Sequence, residues 1–217
     1  MAEELRKGLF ITFEGPEGSG KSTHSRRLSG ELSADGYDVL HTSEPGGTSL
    51  GEKIRDLLLQ KKEISMGPYA ELFLFEADRA QHVREVIRPG IESGKIVICD
   101  RFNTATFAYQ GYGLGLDMGL VKTVDLAATE GLCPELTILL DIDVATGLQR
   151  AGAGGEADRM ETRGDDFHEK VRGGYLDMAE QDPARIKVIK VRDDKDQTYQ
   201  LVKEEVYALV ERYKGSE

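Results

Sequence analysis

Gly15-Pro16-Glu17-Gly18-Ser19-Gly20-Lys21-Ser22 matches the phosphate-loop pattern G-x-x-x-x-G-K-[ST], and its neighbours supply the setting that pattern requires. Leu9-Phe10-Ile11-Thr12-Phe13 reads as a short buried strand, and Thr23 to Leu32 reads as a helix starting directly after the glycines. Glycine lets the backbone turn so that successive N–H groups face one anion, and the helix N-terminus adds its partial positive charge. Gly15, Pro16, Glu17, Gly18, Ser19, Gly20, Lys21, Ser22 and Thr23 are therefore the expected cradle for nucleotide phosphates. Lys21 can reach β- and γ-phosphate oxygens, and the Ser22 hydroxyl can ligate the magnesium ion that bridges them.

Outward from this motif, apolar runs of strand length alternate with helical patterns at Leu9–Phe13, Tyr37–His41, Ile96–Cys99, Leu136–Leu140 and Ile186–Val191. That alternation predicts an α/β fold with about five strands in a parallel sheet covered by helices on both faces. The 217 residues suit one domain with a substantial core. A net charge of −11 with no block of lysines and arginines argues against duplex nucleic acid or a membrane surface as partner. Cys99 and Cys133 fall at or near predicted buried strands without metal spacing and read as reduced core thiols. No apolar run approaches the roughly 18 residues of a membrane span, and Met1-Ala2-Glu3-Glu4 is too acidic for a signal peptide, so a cytoplasmic location is expected.

In such sheets ligands bind beyond the carboxyl ends of the strands, which makes the residues just after each strand the informative ones. Thr42-Ser43-Glu44-Pro45-Gly46-Gly47-Thr48 reads as a connector, although a Pro-Gly-Gly loop at a strand end can also approach a ligand closely. Pro68 to Arg88 carries two stripes. Tyr69, Leu72, Phe73, Ala80, Val83 and Ile87 mark the face expected to pack on the sheet, while Phe75, Arg79 and His82 share another. An aromatic ring with an arginine four residues on can stack on a base and donate to its edge; an exposed ring beside a solvated arginine fits equally. Asp100-Arg101 follows the third strand, where a carboxylate can hold magnesium or its water shell and an arginine can clamp a second phosphate.

Thr106, Tyr109 and Gln110 bring polar groups to adjacent turns of the next helix and can line a pocket, with Tyr109 equally readable as core. After the fourth strand, a helix runs out at Arg150 into a glycine-rich stretch followed by Glu156, Asp158, Arg159, Glu161 and Arg163. A mobile loop bearing arginines can close over a transferring phosphoryl group; a disordered surface loop has the same composition. Asp100 is followed by Arg-Phe and no Asn-Lys-x-Asp guanine reader occurs, which counts against a hydrolytic switch. A kinase for another nucleotide and a binding module without catalysis remain as alternatives.

Together, Phe13 to Ser22, Glu44-Pro45-Gly46-Gly47-Thr48, Asp78-Arg79, Asp100-Arg101-Phe102 and Ala108-Tyr109-Gln110-Gly111-Tyr112-Gly113 resemble the thymidylate kinase family in order and spacing. The resemblance implies a phosphate-loop NTPase fold of nucleoside-monophosphate-kinase type over residues 1–217, with a short lid at about 150–163, usually as a homodimer. It implies phosphorylation of dTMP to dTDP by MgATP, for dTTP synthesis. By the same likeness, Phe75 stacks on thymine, Arg79 hydrogen-bonds the base, and Arg101 clamps the dTMP phosphate. Glu17 is associated with the sugar 3′-hydroxyl and Tyr109 lies under the deoxyribose, while Thr106 and Gln110 are pocket polar groups. Lys21, Asp100, Arg101, Arg150 and Arg159 are the implied catalytic residues, with Arg163 in reserve and Ser22 and Asp100 at the metal. Ser43 stands where many relatives have arginine, Ala105 where many have serine, and Gly152 and Gly154 where some have arginine.

Overall fold

The computed structural model describes residues 8–59, 65–153 and 158–214. Gly154, Gly155 and Glu156 of the lid, and the acidic start Met1 to Glu4, lie outside the described residues. Five parallel strands among those described form one sheet: β1 (Leu9–Glu14), β2 (Val39–Ser43), β3 (Ile96–Asp100), β4 (Leu136–Asp141) and β5 (Ile186–Lys190), in the order β2-β3-β1-β4-β5. β1, β3 and β4 are buried throughout, which explains their near-continuous apolar sequences; a strand covered on both faces has no solvent side to mark with polar residues. β5, at an edge, exposes Val188 and Lys190 instead.

Alternate residues of β1 face two different layers. Leu9, Ile11 and Phe13 pack with Leu28 and Leu32 of α1 (Lys21–Ala34) and with Val202 and Val206 of α9 (Lys195–Lys214). Phe10 points the other way, toward Val83, Ile87 and Phe102. That second layer comprises α3 (Pro68–His82), a π-helical turn at Val83–Ile87, α4 (Arg88–Glu92), α5 (Asn103–Thr106), a π-helical stretch at Phe107–Gly113 and α8 (Asp165–Gln181). α2 (Ser49–Leu59) packs beside α3, α6 (Met118–Thr129) packs on its other side, and α7 (Val144–Gly152) leads from β4 toward the lid. Among the described residues no helix is long and apolar enough to cross a membrane.

Several expectations shift. β1, β3 and β4 run one residue further than read, to Glu14, Asp100 and Asp141, because these carboxylate residues still take ladder positions beside Leu139, Phe13 and Lys190. β2 begins at Val39 because Tyr37 belongs to the end of α1, where its N–H donates to the Leu32 carbonyl at 3.1 Å. β5 ends at Lys190, one residue short of Val191. Cys99 is buried, but Cys133 is exposed, so only one of the two thiols belongs to the core. Leu72 of α3 and Val83 and Ile87 of the π-helical turn after it pack inward as expected, yet Tyr69 and Phe73 of α3 are 50% and 51% exposed. The inward side of α3 is instead largely polar, with Glu71, Glu76, Asp78, Arg79 and His82 all buried.

Candidate active site

Position β1 in mid-sheet, turn at its carboxyl end, and the chain enters the phosphate loop with left-handed glycines at Gly18 (φ 66°) and Gly20 (φ 93°). A Cβ on Gly18 would lie 2.0 Å from the Gly147 carbonyl oxygen, and one on Gly147 would lie 2.4 Å from that of Glu17. Loop and α7 therefore meet backbone to backbone. Lys21, 6% exposed, folds over the loop and donates to the carbonyls of Gly15 at 2.9 Å and Pro16 at 2.8 Å. Burial and the nearby Arg101 charge pull its ammonium down to about 8, against the opposing pull of Glu17, Asp100 and Glu14.

Asp100, the last residue of β3, accepts from the Ser22 hydroxyl through Oδ2, while its buried Oδ1 has no hydrogen-bond partner among the described residues. A hydroxyl and an unpaired carboxylate oxygen at the root of a phosphate loop form a hard oxygen donor set, which fits magnesium. Arg101 follows with φ 71°, a left-handed backbone that costs a non-glycine residue about 1–2 kcal/mol. Three contacts offset that cost. Its N–H donates to Phe13 at 2.9 Å, the Cys99 thiol donates to its carbonyl at 3.0 Å, and the next N–H, on Phe102, donates to Glu14 at 2.8 Å. Glu14 is wholly buried, and that burial pushes its carboxyl up to about 7 against hydrogen bonds from Phe102 and Tyr175 and the charge of Arg101.

The turn aims the Arg101 guanidinium across the cavity at Glu17, Nη2 to Oε1 and Oε2 at 2.8 and 2.6 Å. Tyr109 donates to the same carboxylate at 2.7 Å. Burial alone would raise the Glu17 carboxyl, but the charges of Arg101 and Lys21 and the Tyr109 hydrogen bond carry it down to about 2. Tyr109 is 4% exposed, a core ring whose residue also lines the cavity and whose hydroxyl is held by Glu17.

A cavity of about 1000 Å³ opens from the loop, and Phe75, Arg79, Arg101, Thr106, Tyr109 and Gln110 all line it beside Glu17 to Thr23. Arg79 is 2% exposed and heavily committed: Nε and Nη2 to Glu44 at 2.9 Å each, Nη1 to Glu76 and to Thr106 at 2.9 Å. Burial alone would lower its pKa, but Glu44, Glu76 and Asp125 outweigh it and keep the guanidinium charged. Among the described residues, one of its five N–H groups, on Nη2, takes no partner. Glu44 also takes the His82 ring at 2.9 Å, and the Gly46 N–H reaches Asp78 at 3.0 Å, so the segment read as a connector is a built wall of this cavity. The sequence did carry a signal for it, since Glu71, Phe75, Asp78, Arg79 and His82 recur at helical spacing and mark an inward polar stripe.

At the far end the cavity reaches Arg192, Asp193 and Lys195 and the lid-side Arg150, whose Nη2 lies 3.7 Å from Asp193 Oδ1. Arg159 does not line the cavity. It is turned away from the phosphate loop, donating to the Leu58 carbonyl at 2.8 Å and to Glu71 at 2.6 Å, where Arg163 joins it at 2.6 Å. This buried carboxylate on α3 draws both guanidinium groups, because an ion pair out of water is costly to break.

A phosphate loop facing an arginine turn across a cavity of about 1000 Å³ defines a phosphate-loop NTPase of the kind that moves phosphoryl groups between nucleotides. The family model for thymidylate kinase matches residues 13–202. The chain belongs to the thymidylate kinase family. It is 50% identical over 188 residues to the thymidylate kinase of Desulfovibrio desulfuricans, covering 83% of this chain and 87% of the relative. It is 44% identical over 206 residues to that of Deinococcus radiodurans, covering 95% and 98%. The crystal structure of thymidylate kinase from Ehrlichia chaffeensis superposes with a TM-score of 0.76 at 35% identity, covering 92% of this chain and 98% of that one.

Proposed function

We propose that this chain transfers the γ-phosphoryl group of ATP to the 5′-phosphate of dTMP, giving dTDP, in line and without a covalent intermediate on the protein. The observation that carries this reading is Arg101, held in a left-handed turn so that it faces the phosphate loop across one cavity. The acceptor oxygen is already ionised, so no strong base is needed and positioning with charge neutralisation supplies the rate. Lys21 and the loop amides hold the β- and γ-phosphates, Arg101 joins acceptor to donor, and Arg150 adds charge from the lid side. Arg159, bound to Glu71, anchors the lid in this reading rather than meeting the phosphate. Ser22 and Asp100 would hold Mg2+, which when bound neutralises and orients the phosphate oxygens. Phe75 stacks on thymine, and Arg79, Thr106 and Gln110 meet its edge. Glu17 takes the sugar hydroxyl, and Tyr109 supports the deoxyribose.

The test is ADP release from MgATP with dTMP, dUMP, dCMP, dGMP, AMP or thymidine as acceptor. Strong preference for dTMP is expected. Preference for another monophosphate would discard the base-pocket roles, and release independent of acceptor would make the protein an ATPase.

A homodimer and a cytoplasmic setting, where ATP is plentiful and the buried Cys99 thiol stays reduced, complete the proposal. α2, α3 and α6 lie side by side and expose Leu50 and Leu57, Tyr69 and Phe73, and Leu120 and Leu126. That apolar face is where the second copy would sit. Phe73→Glu is expected to halve the mass measured by light scattering after gel filtration. A parent that is already monomeric would end this part of the proposal.

A further inference from the structure

Glu71 lies on α3 behind the cavity, only 1% exposed, and does not line it. Its Oε1 accepts from Gln110 Nε2 at 2.9 Å, and its Oε2 accepts from Arg159 Nη1 and Arg163 Nη2, each at 2.6 Å. An ionised carboxylate only accepts, so it holds one N–H of the Gln110 amide, turns the amide nitrogen toward itself and leaves the amide oxygen for the pocket. Among the described residues that oxygen takes no hydrogen bond within the protein, and Gln110 lines the cavity near Arg79. Among its polar groups the pocket thus offers a donor, the remaining Nη2–H of Arg79, and an acceptor, the Gln110 oxygen.

We propose that Glu71 is a positioning residue that fixes the Gln110 amide to accept from an imide N–H and, through its other oxygen, seats the lid arginines Arg159 and Arg163. This rests on the dTMP reading above. A pyrimidine with a 4-carbonyl and a protonated N3 matches a donor followed by an acceptor. Cytosine, with a 4-amino group and a bare N3, places a donor and an acceptor where the pocket has the same. Buried polar groups left unpaired are what make such discrimination large, since each costs about 1–3 kcal/mol. Glu71→Gln removes both constraints. Its amide can pair with either orientation of Gln110, and it carries no charge for the two guanidinium groups.

The experiment compares ADP release with dTMP and with dCMP, and proteolytic cleavage within residues 150–163, in the parent, in Glu71→Gln and in Arg163→Ala. In Glu71→Gln the dTMP-to-dCMP ratio of kcat/KM is expected to fall at least about tenfold, chiefly through KM for dTMP, with faster lid cleavage. Arg163→Ala, which leaves Glu71 paired with Arg159 and holding Gln110, is expected to speed cleavage and keep the parental ratio. Glu71→Asp retains the charge and gives an intermediate ratio, a second reading should the glutamine variant fold poorly. A ratio within twofold of the parent in both Glu71 variants, or unchanged lid cleavage in Glu71→Gln, overturns the proposal while the dTMP reading stands. An Arg163→Ala variant that loses the ratio as Glu71→Gln does also overturns it, because the effect would then pass through the lid. A parent with no preference for dTMP overturns both.

Discussion

Lys21→Ala is expected to cut kcat about a thousandfold, the scale of losing one well-placed charge stabiliser in a site shielded from water. The side chain already spans the loop it serves, tied to the carbonyls of Gly15 and Pro16, so little reorganisation separates that pose from contact with phosphate oxygens. Alanine leaves the loop glycines and the helix N-terminus in place, and nucleotide binding should weaken less than turnover. ADP release at saturating ATP and dTMP measures the effect; a variant retaining a tenth of parental kcat would remove Lys21 from its role. The same residue sets an alkaline limb. Its ammonium, drawn down to about 8 by burial and Arg101, is charged below that pH and neutral above it. Activity needs the cation, so kcat/KM for ATP, which reports on the free enzyme, is expected to fall as pH rises through about 8.

Gly147→Ala should lower kcat/KM about a hundredfold while leaving the protein folded, as expected when a catalytic loop is pushed by around an ångström. The new methyl group would stand 2.4 Å from the Glu17 carbonyl oxygen, with Ile142 at 3.2 Å beside it, so the phosphate loop and α7 must separate. Gly147 carries no functional group and touches no proposed ligand. A loss of turnover without loss of the circular dichroism melt would show that the loop is held in place by helix contact. Parental activity would show that the loop tolerates the displacement.

The parallel sheet and the phosphate loop were legible because each depends on local pattern: apolar runs of four to six residues, and glycines at fixed offsets before Lys21. Asp100 and Arg101 were legible as a strand end. Less visible was the wall around Arg79. Glu44 and Glu71 are 35 and 39 positions from the groups they hold, and pairing over such a span follows only from packing α3 against β2 and the Phe107–Gly113 stretch. Periodicity also misled at Tyr69 and Phe73, since an apolar stripe says that a face avoids water without saying which neighbour covers it. Arg159 carried a chemical type that suited phosphate, but a buried carboxylate lay closer. Local charge at Glu71, not composition, decides where that guanidinium rests.

The carboxylate of Glu17, gripped by Arg101 and Tyr109, has a consequence for selectivity among the many small anions of a cell. An arginine beside a buried lysine and a ring of amides is a trap for any phosphate or sulfate that drifts by. Here the trap comes with its own counterion attached to the chain. A lone inorganic anion must evict that carboxylate with nothing but charge, whereas a nucleotide brings a sugar and a base to help. On the proposed reading, the evicted carboxylate then turns to the sugar hydroxyl, so entry becomes an exchange of partners rather than a capture, and the protein never bears a naked cation at its centre.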